Sequence, residues 1–244
     1  MRYRYLDEIR NILNDVEQNE WENIEKIVEK MTETILHKHS IFSFGCSHAG
    51  MLTEELYYRA GGLMNINPVF CDSLLVSTSP AALTSRLERL EGFGSAVAGS
   101  VPFQKGDLLI IHSVSGRNAF CLDFAQYARE KGVFIVCLTS LAYASAVASR
   151  HSSGKKLHEI SDLVLDNHGS IGDACIKIEG LEQRVGASST IIGLALFNEI
   201  VVQVTERLIQ RGMTEPPVYY SVNLDGGEEH NRRLKEYFQD NIYY

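Results

Sequence analysis

Residues 108–118 of the chain read Leu-Leu-Ile-Ile-His-Ser-Val-Ser-Gly-Arg-Asn. The apolar beginning of this stretch is typical of a buried parallel strand, and the two serines and the glycine indicate a short loop after it. Apolar residues between Phe120 and Ala128 follow at a spacing that predicts a helix ending at Gly132. A further strand is predicted at 133–138. This strand–helix–strand order predicts an α/β fold with a parallel sheet.

The loop at 113–117 has the donors that an anion requires. Serine hydroxyls, backbone N–H groups and the N-terminal end of a helix dipole would all face one point, and phosphate suits such a point. An ordinary strand-to-helix turn is the alternative. The same plan recurs at 41–50, Ile-Phe-Ser-Phe-Gly-Cys-Ser-His-Ala-Gly, and a hydroxyl-rich helix start recurs at 186–190. Neighbouring parallel strands would bring these loops to one edge of the sheet, which favours a phosphate site.

Composition narrows the class of protein. The 244 residues suit one large α/β domain with helical additions, and the formal charge of −8 argues against a nucleic-acid partner. No apolar run approaches the roughly 20 residues that a membrane span requires. The first residues are too polar for a signal peptide, and five cysteines without CxxC spacing predict reduced thiols. We therefore expect a cytoplasmic protein without a membrane partner.

Three regions are predicted along the chain. Two amphipathic helices at 1–38 form a helical hairpin that packs on the core or on a partner subunit, 39–212 forms the main domain, and 213–244 forms a tail with a short helix. Strands are predicted at 41–45, 64–69, 108–112, 133–138, 162–166 and 174–178, and helices at 49–60, 118–131 and 188–211. The region 72–104 holds one helix between glycine- and proline-containing stretches, and a lid is one interpretation of it.

Several motifs occur together in a known order. They are Ser113-x-Ser115-Gly116 with Ala125-x-x-Ala128-x-x-Lys131-Gly132 after it, the turn Gly45-x-Ser47, the strand Ser161-Asp162-Leu163-Val164-Leu165 and the helix start Ser188-Ser189. Over about residues 35–211 the chain resembles the sugar isomerase (SIS) domain family. Within that family it is most similar to phosphoheptose-isomerase-like proteins and to a bacterial SIS subgroup that carries the same tail.

The resemblance implies a flavodoxin-like three-layer αβα sandwich around a five-stranded parallel sheet. It also implies a homodimer or homotetramer and a site for a phosphorylated sugar. The resemblance also implies the phosphosugar-binding residues, through the positions that match the family motifs. They are Ser47, Ser113, Ser115, Gly116 and Asn118, with Ser188 or Ser189 at the rim. Many relatives have Glu-x-Thr or Asn-Ser after the Ser-Gly pair, whereas this chain has Arg117-Asn118. The N-acetylmuramic acid 6-phosphate etherase branch also has an arginine there, so the resemblance leaves the reaction open.

Two adjacent carboxylates are candidates for a proton-transferring base. An aldose–ketose isomerase moves a proton between neighbouring carbons, which requires such a group. If one helix ran from Ser47, then Glu54 would lie within about 20° of its face. Phosphoheptose isomerases carry a catalytic glutamate in a Glu-Glu-Leu context, which maps onto Glu55. Solvent-exposed glutamates that pair with Arg59 are the alternative.

Histidines are the candidates for opening the sugar ring. His48 follows the first loop, and His230 lies in a Gly-Gly-Glu-Glu-His-Asn tail that would fold over a site. The helix at 188–211 has no histidine, although phosphoheptose isomerases carry a catalytic one on their last long helix. The remaining histidines lack metal-site spacing, and no dinucleotide or P-loop motif is present, so neither a metal nor a cofactor is expected.

Three functions remain as hypotheses. The favoured one is aldose–ketose isomerisation of a phosphorylated sugar. The second is a lyase that opens an ether substituent of an amino-sugar phosphate, and the third is a non-catalytic phosphosugar sensor. The sequence Gly45-Cys46-Ser47-His48-Ala49 also resembles the nucleophile elbow of a hydrolase. Such a hydrolase needs an earlier strand and loop for its oxyanion hole, and only the two helices precede this segment.

Overall fold

Five parallel strands form the central sheet of the computed structural model, which describes residues 3–244. They are β1 (Ile41–Gly45), β2 (Ile66–Pro68), β3 (Leu108–His112), β4 (Phe134–Thr139) and β5 (Leu163–Asp166). Their order across the sheet is β2-β1-β3-β4-β5, so β1 and β3 are neighbours. This is the flavodoxin-like order, and the predicted fold class is confirmed.

Helices cover both faces of the sheet. The helices are α1 (Arg4–Asn19), α2 (Trp21–Leu36), α3 (Met51–Leu56), α4 (Ala81–Leu87), α5 (Phe93–Ala98), α6 (Ala119–Glu130), α7 (Leu141–Ala146), α8 (Leu157–Ile160), α9 (Ser189–Gln210) and α10 (Gly227–Phe238). Helices α1, α2, α3 and α9 pack on one face, and α5, α6 and α8 pack on the other. Within residues 3–244 no helix is long and apolar enough to cross a membrane.

Strand residues alternate between two hydrophobic cores. Ile41 and Ile110 belong to the core beneath α2 and α9, whereas Phe42 and Ile111 belong to the core beneath α6. Successive side chains of a strand point to opposite faces, and both faces are covered here. Every residue of β1 and β3 is therefore buried, and β3 is a continuous apolar run up to Ile111 rather than an alternating one.

The C-terminal segment packs beside β2, which lies at one edge of the sheet. The side-chain amide of Asn67 donates to the carbonyl of Ile41 at 3.1 Å and to that of Asn241 at 2.9 Å. Its oxygen accepts the N–H of Tyr243 at 2.7 Å. The hydroxyl of Tyr244 donates to the carbonyl of Met64 at 2.7 Å. The tail is thus hydrogen-bonded to the edge of the main sheet.

The structure differs from the predicted elements mainly in short segments. The helix predicted at 49–60 has only the six residues of α3, after a 3-10 turn at His48–Gly50. Helix α5 lies in a glycine-rich stretch for which no helix was predicted. Strand β6 (Ala174–Ile176) pairs with the unpredicted β7 (Val185–Ala187) in an antiparallel hairpin. Such short elements depend on tertiary contacts, because isolated helices of this length are unstable in water.

Candidate functional site

The loops that follow β1 and β3 meet at a cavity of about 190 Å³ at the carboxyl edge of the sheet. Because Gly45 and His112 lie opposite each other at the ends of these strands, the two loops begin side by side. The lining residues are Cys46, Ser47, His48, Ala49, Glu88, His112, Ser113, Val114, Ser115, Asn118 and Tyr143. The cavity is therefore lined by three serines, from two loops.

Ser47 has a backbone conformation that side chains rarely adopt. Its φ is 53° and its ψ is −131°, and its N–H donates to the carbonyl of Leu74 at 2.7 Å. A Cβ atom on Gly45 would lie 2.6 Å from the carbonyl oxygen of Ala49, and one on Gly50 would lie 2.7 Å from the carbonyl oxygen of Gly45. The turn is therefore tight at both ends. Strained residues of this kind occur at functional sites, where the surrounding structure holds them.

Protein groups hold the second loop from both sides. The N–H of Ser113 donates to the carbonyl of Leu138 at 3.0 Å, and the N–H of Gly116 donates to the carbonyl of Ser113 at 3.2 Å. The carbonyl of Gly116, whose φ is 59°, accepts the N–H of Leu157 at 2.8 Å. The loop therefore has a fixed shape, and Ser113 and Ser115 line the cavity.

The side chain of Asn118, directly before α6, bonds to the protein through both its nitrogen and its oxygen. Its amide nitrogen donates to Glu88 Oε2 at 2.6 Å, and its oxygen accepts from Arg150 Nη1 at 2.9 Å. Burial raises the pKa of the Glu88 carboxyl, while Asn118, Arg150 and Arg89 partly offset this rise. Burial, together with the charges of Arg117 and Arg89, lowers the pKa of the Arg150 guanidinium. Asn118 therefore bridges a carboxylate and a guanidinium, and the charges of Arg89 and Arg117 act on this pair.

His112 is the least exposed ionisable group of the cavity wall, at 1%. Its Nδ1 lies 3.1 Å from the carbonyl oxygen of Ala49, and its Nε2 is buried without a hydrogen-bond partner in the described chain. Burial lowers the pKa of the imidazole to about 4, although the Ala49 carbonyl and the Asp173 charge act in the opposite direction. The ring is therefore uncharged at neutral pH.

The sequence profile of the SIS domain family matches residues 4–140, more than half of the chain. The chain belongs to the SIS domain family. It is 43% identical to a UPF0309 protein of Oceanobacillus iheyensis over 240 aligned residues. The alignment covers 98% of this chain and 97% of the relative. The predicted family is confirmed.

Solved structures share the fold of this SIS domain. A phosphoheptose isomerase from Francisella tularensis superposes with a TM-score of 0.54 at 11% identity, covering 83% of this chain and 95% of that one. The Vibrio vulnificus NanR protein, solved in complex with ManNAc-6P, superposes with a TM-score of 0.50 at 15% identity, covering 97% of this chain and 67% of that one. At such identities the likeness shows a common fold.

Of the predicted residues of the SIS domain, Ser47, His48, Ser113, Ser115 and Asn118 lie together in the cavity wall, and Gly116 lies in the second loop. Ser188 and Ser189 do not line this cavity. Ser189 Oγ donates to Asp173 Oδ2 at 2.9 Å, and its N–H donates to Asp173 Oδ1 at 2.8 Å. The Asp173 carboxylate therefore accepts the hydrogen bonds that the start of α9 would otherwise offer to a ligand.

The two candidate glutamates and the tail histidine also lie outside the cavity lining. Glu54 is exposed, and Glu55 pairs with Arg59 and accepts from the side chain of Asn198 at 3.0 Å. His230 lies in α10, where its ring centre is 5.7 Å from that of Tyr220.

Six residues of the cavity wall were not predicted as site residues, and three of them, Glu88, His112 and Tyr143, can form hydrogen bonds through nitrogen or oxygen atoms of their side chains. Only His112 had a detectable signal in the sequence, because it is a polar residue at the end of an otherwise apolar strand. Glu88 and Tyr143 reach the site from segments whose position depends on the folded chain.

Proposed function

We propose that this SIS domain binds a phosphorylated sugar, with the phosphate held between the loops after β1 and β3. The observation that carries the proposal is the convergence of Ser47, Ser113 and Ser115 on one cavity at the carboxyl edge of the sheet. Hydroxyl groups of this kind donate to phosphate oxygens without adding a charge. The shared fold with a phosphoheptose isomerase and with NanR in complex with ManNAc-6P supports the same ligand class.

The size of the cavity suggests how a sugar would lie. Its volume of about 190 Å³ is below the ~300 Å³ at which typical small-molecule pockets begin. A phosphate would fit inside while the sugar extends outward past His48, which lines the cavity and is exposed. The chain continues from His48 into α3, which carries both candidate glutamates.

The favoured activity is aldose–ketose isomerisation, with Glu55 or Glu54 as the proton shuttle and His48 or His230 assisting ring opening. This assignment requires Glu55 to exchange Arg59 and Asn198 for the substrate. The lyase alternative uses the same phosphate site, and product analysis would separate the two reactions.

A non-catalytic sensor is the second candidate. The observation that favours it is the position of the four candidate catalytic residues, of which only His48 lines the cavity. A sensor would retain tight binding of its ligand in the variants Glu54→Gln and Glu55→Gln and would show no turnover. An isomerase would interconvert an aldose phosphate and a ketose phosphate and lose this activity in one of the two variants.

A thermal-shift screen of phosphorylated sugars against their unphosphorylated counterparts tests the binding site. A ligand present at 100 times its Kd stabilises the folded protein by about 2.7 kcal/mol. We expect stabilisation by a phosphorylated sugar and its loss in the double variant Ser113→Ala/Ser115→Ala. The matched control is Ser85→Ala/Ser145→Ala, which removes two exposed hydroxyls outside the cavity. An unchanged shift in the first double variant would contradict the site assignment.

A further inference from the structure

The tautomer of His112 follows from its contact with the first loop. The carbonyl oxygen of Ala49, 3.1 Å from Nδ1, can only accept a hydrogen bond, so Nδ1 carries the proton. In the uncharged ring, Nε2 then has a lone pair and no proton. The backbone contact thus determines which nitrogen remains available as an acceptor.

The ring has little freedom to turn away from the cavity. It lies at the end of the central strand β3, between β1 and β4. On the α9 side, a Cβ atom on Gly193 would lie 3.6 Å from His112 Cε1 and 3.0 Å from a methyl group of Leu138. The imidazole is therefore packed against the helix while it forms part of the cavity wall.

Nε2 is the unsatisfied atom of this arrangement. It is buried and has no hydrogen-bond partner within residues 3–244. A buried acceptor without a partner costs about 1–3 kcal/mol. A ligand that supplies a donor would recover this cost after displacing the groups that cover Nε2. A phosphate oxygen without a proton cannot supply one, because it is itself an acceptor. A sugar hydroxyl or the N–H of an acetamido group can.

We propose that His112 determines the specificity of this cavity: its Nε2 accepts a hydrogen bond from a hydroxyl or amide N–H of the bound sugar. The inference rests on the proposed function, because it concerns the sugar part of a phosphosugar held by the serine loops. It divides the site into two chemical halves. Serine hydroxyls donate to the phosphate, and the imidazole accepts from the carbohydrate, so free phosphate satisfies only one half.

Two substitutions test the roles of the two ring nitrogens separately. In His112→Asn, the amide nitrogen can occupy the position of Nδ1 and keep the bond to the Ala49 carbonyl, while the acceptor at Nε2 is lost. In His112→Gln, the longer amide can place an oxygen near the position of Nε2. We expect His112→Asn to weaken binding of fructose 6-phosphate or N-acetylglucosamine 6-phosphate about ten-fold, with less than a two-fold change for inorganic phosphate. His112→Gln should recover part of the loss.

Nitrogen-15 NMR of the histidine rings distinguishes a ligand contact from a purely structural role, because only a contact would change the Nε2 chemical shift of His112 when a ligand is added. The wild-type protein should show His112 protonated at Nδ1 only, with an Nε2 resonance that shifts on adding either sugar phosphate but not on adding inorganic phosphate. His158 serves as the internal control, because its Nδ1 is also buried without a partner and it does not line the cavity.

The outcomes distinguish the two proposals. If a sugar phosphate binds and the His112 Nε2 resonance does not move, or if His112→Asn weakens sugar phosphate and inorganic phosphate equally, the role of His112 is overturned and the phosphate site stands. If neither the two sugar phosphates nor inorganic phosphate binds the wild-type protein, both proposals fail together.

Discussion

Acidification should destabilise the protein through His112. Burial lowers the pKa of this imidazole from 6.5 to about 4 in the folded state, while the unfolded chain keeps the ordinary value. Between these two pH values the unfolded state binds a proton that the folded state does not, so the free energy of unfolding falls as the pH falls. The contribution of His112 is fully present above pH 6.5. By pH 4 it is reduced by about 3 kcal/mol, of which about 2 kcal/mol is lost between pH 7 and pH 5.

Urea unfolding of the wild type and of His112→Asn, measured at several pH values between 7 and 5, isolates this effect. The asparagine does not titrate. The free energy of unfolding of the variant should therefore fall by about 2 kcal/mol less than that of the wild type between pH 7 and pH 5. Other groups, including the Glu88 and Asp107 carboxyls whose pKa burial raises, titrate in both proteins and cancel in the comparison. Parallel pH dependences of the two proteins would refute the argument that His112 is buried uncharged.

Two further substitutions test other parts of the structure. Glu88→Gln keeps an acceptor for the Asn118 amide and removes a negative charge from the cavity wall, so titration calorimetry should show inorganic phosphate binding about five-fold more tightly. The control is Glu91→Gln, which lies outside the lining. Equal phosphate affinities of Glu88→Gln and the wild type would contradict the role of Glu88. Tyr244→Phe removes a hydroxyl that bonds to the Met64 carbonyl and to the Tyr219 hydroxyl, so urea titrations should show a free energy of unfolding lower by about 1–3 kcal/mol. The control is Tyr237→Phe, on an exposed ring, which should leave the free energy of unfolding unchanged. Equal effects of the two substitutions would count against the anchoring of the tail.

The sequence was sufficient to predict most strands and the serine loops because both depend on local patterns, whereas the five-stranded sheet was predicted from the family resemblance. The strand at 41–45 and the strand at 108–112 were predicted with the bounds that the structure has. The contact between His112 and Ala49 joins residues 63 positions apart, and that between Asn118 and Glu88 joins residues 30 positions apart. No local periodicity indicates such contacts.

The glutamates show a different limit. The argument that placed Glu54 on the same face as Ser47 assumed one continuous helix. The backbone of Ser47 has a positive φ, and α3 begins only at Met51 after a 3-10 turn, so the helical spacing does not extend back to the serine. A sequence pattern cannot reveal this interruption, because the small residues of the turn are also compatible with a helix.

The contacts of Gly45 and Gly50 restrict how this loop can evolve. A side chain at either glycine would collide with main-chain atoms, which cannot move aside as a flexible side chain would. Single mutations at these two positions are therefore incompatible with the present shape of the loop. Glycine at position 47, by contrast, would adopt the observed backbone without strain and would remove the hydroxyl. A single substitution can thus remove the Ser47 hydroxyl and keep the shape of the loop. A side chain at Gly45 or Gly50 would require further changes in the backbone around it.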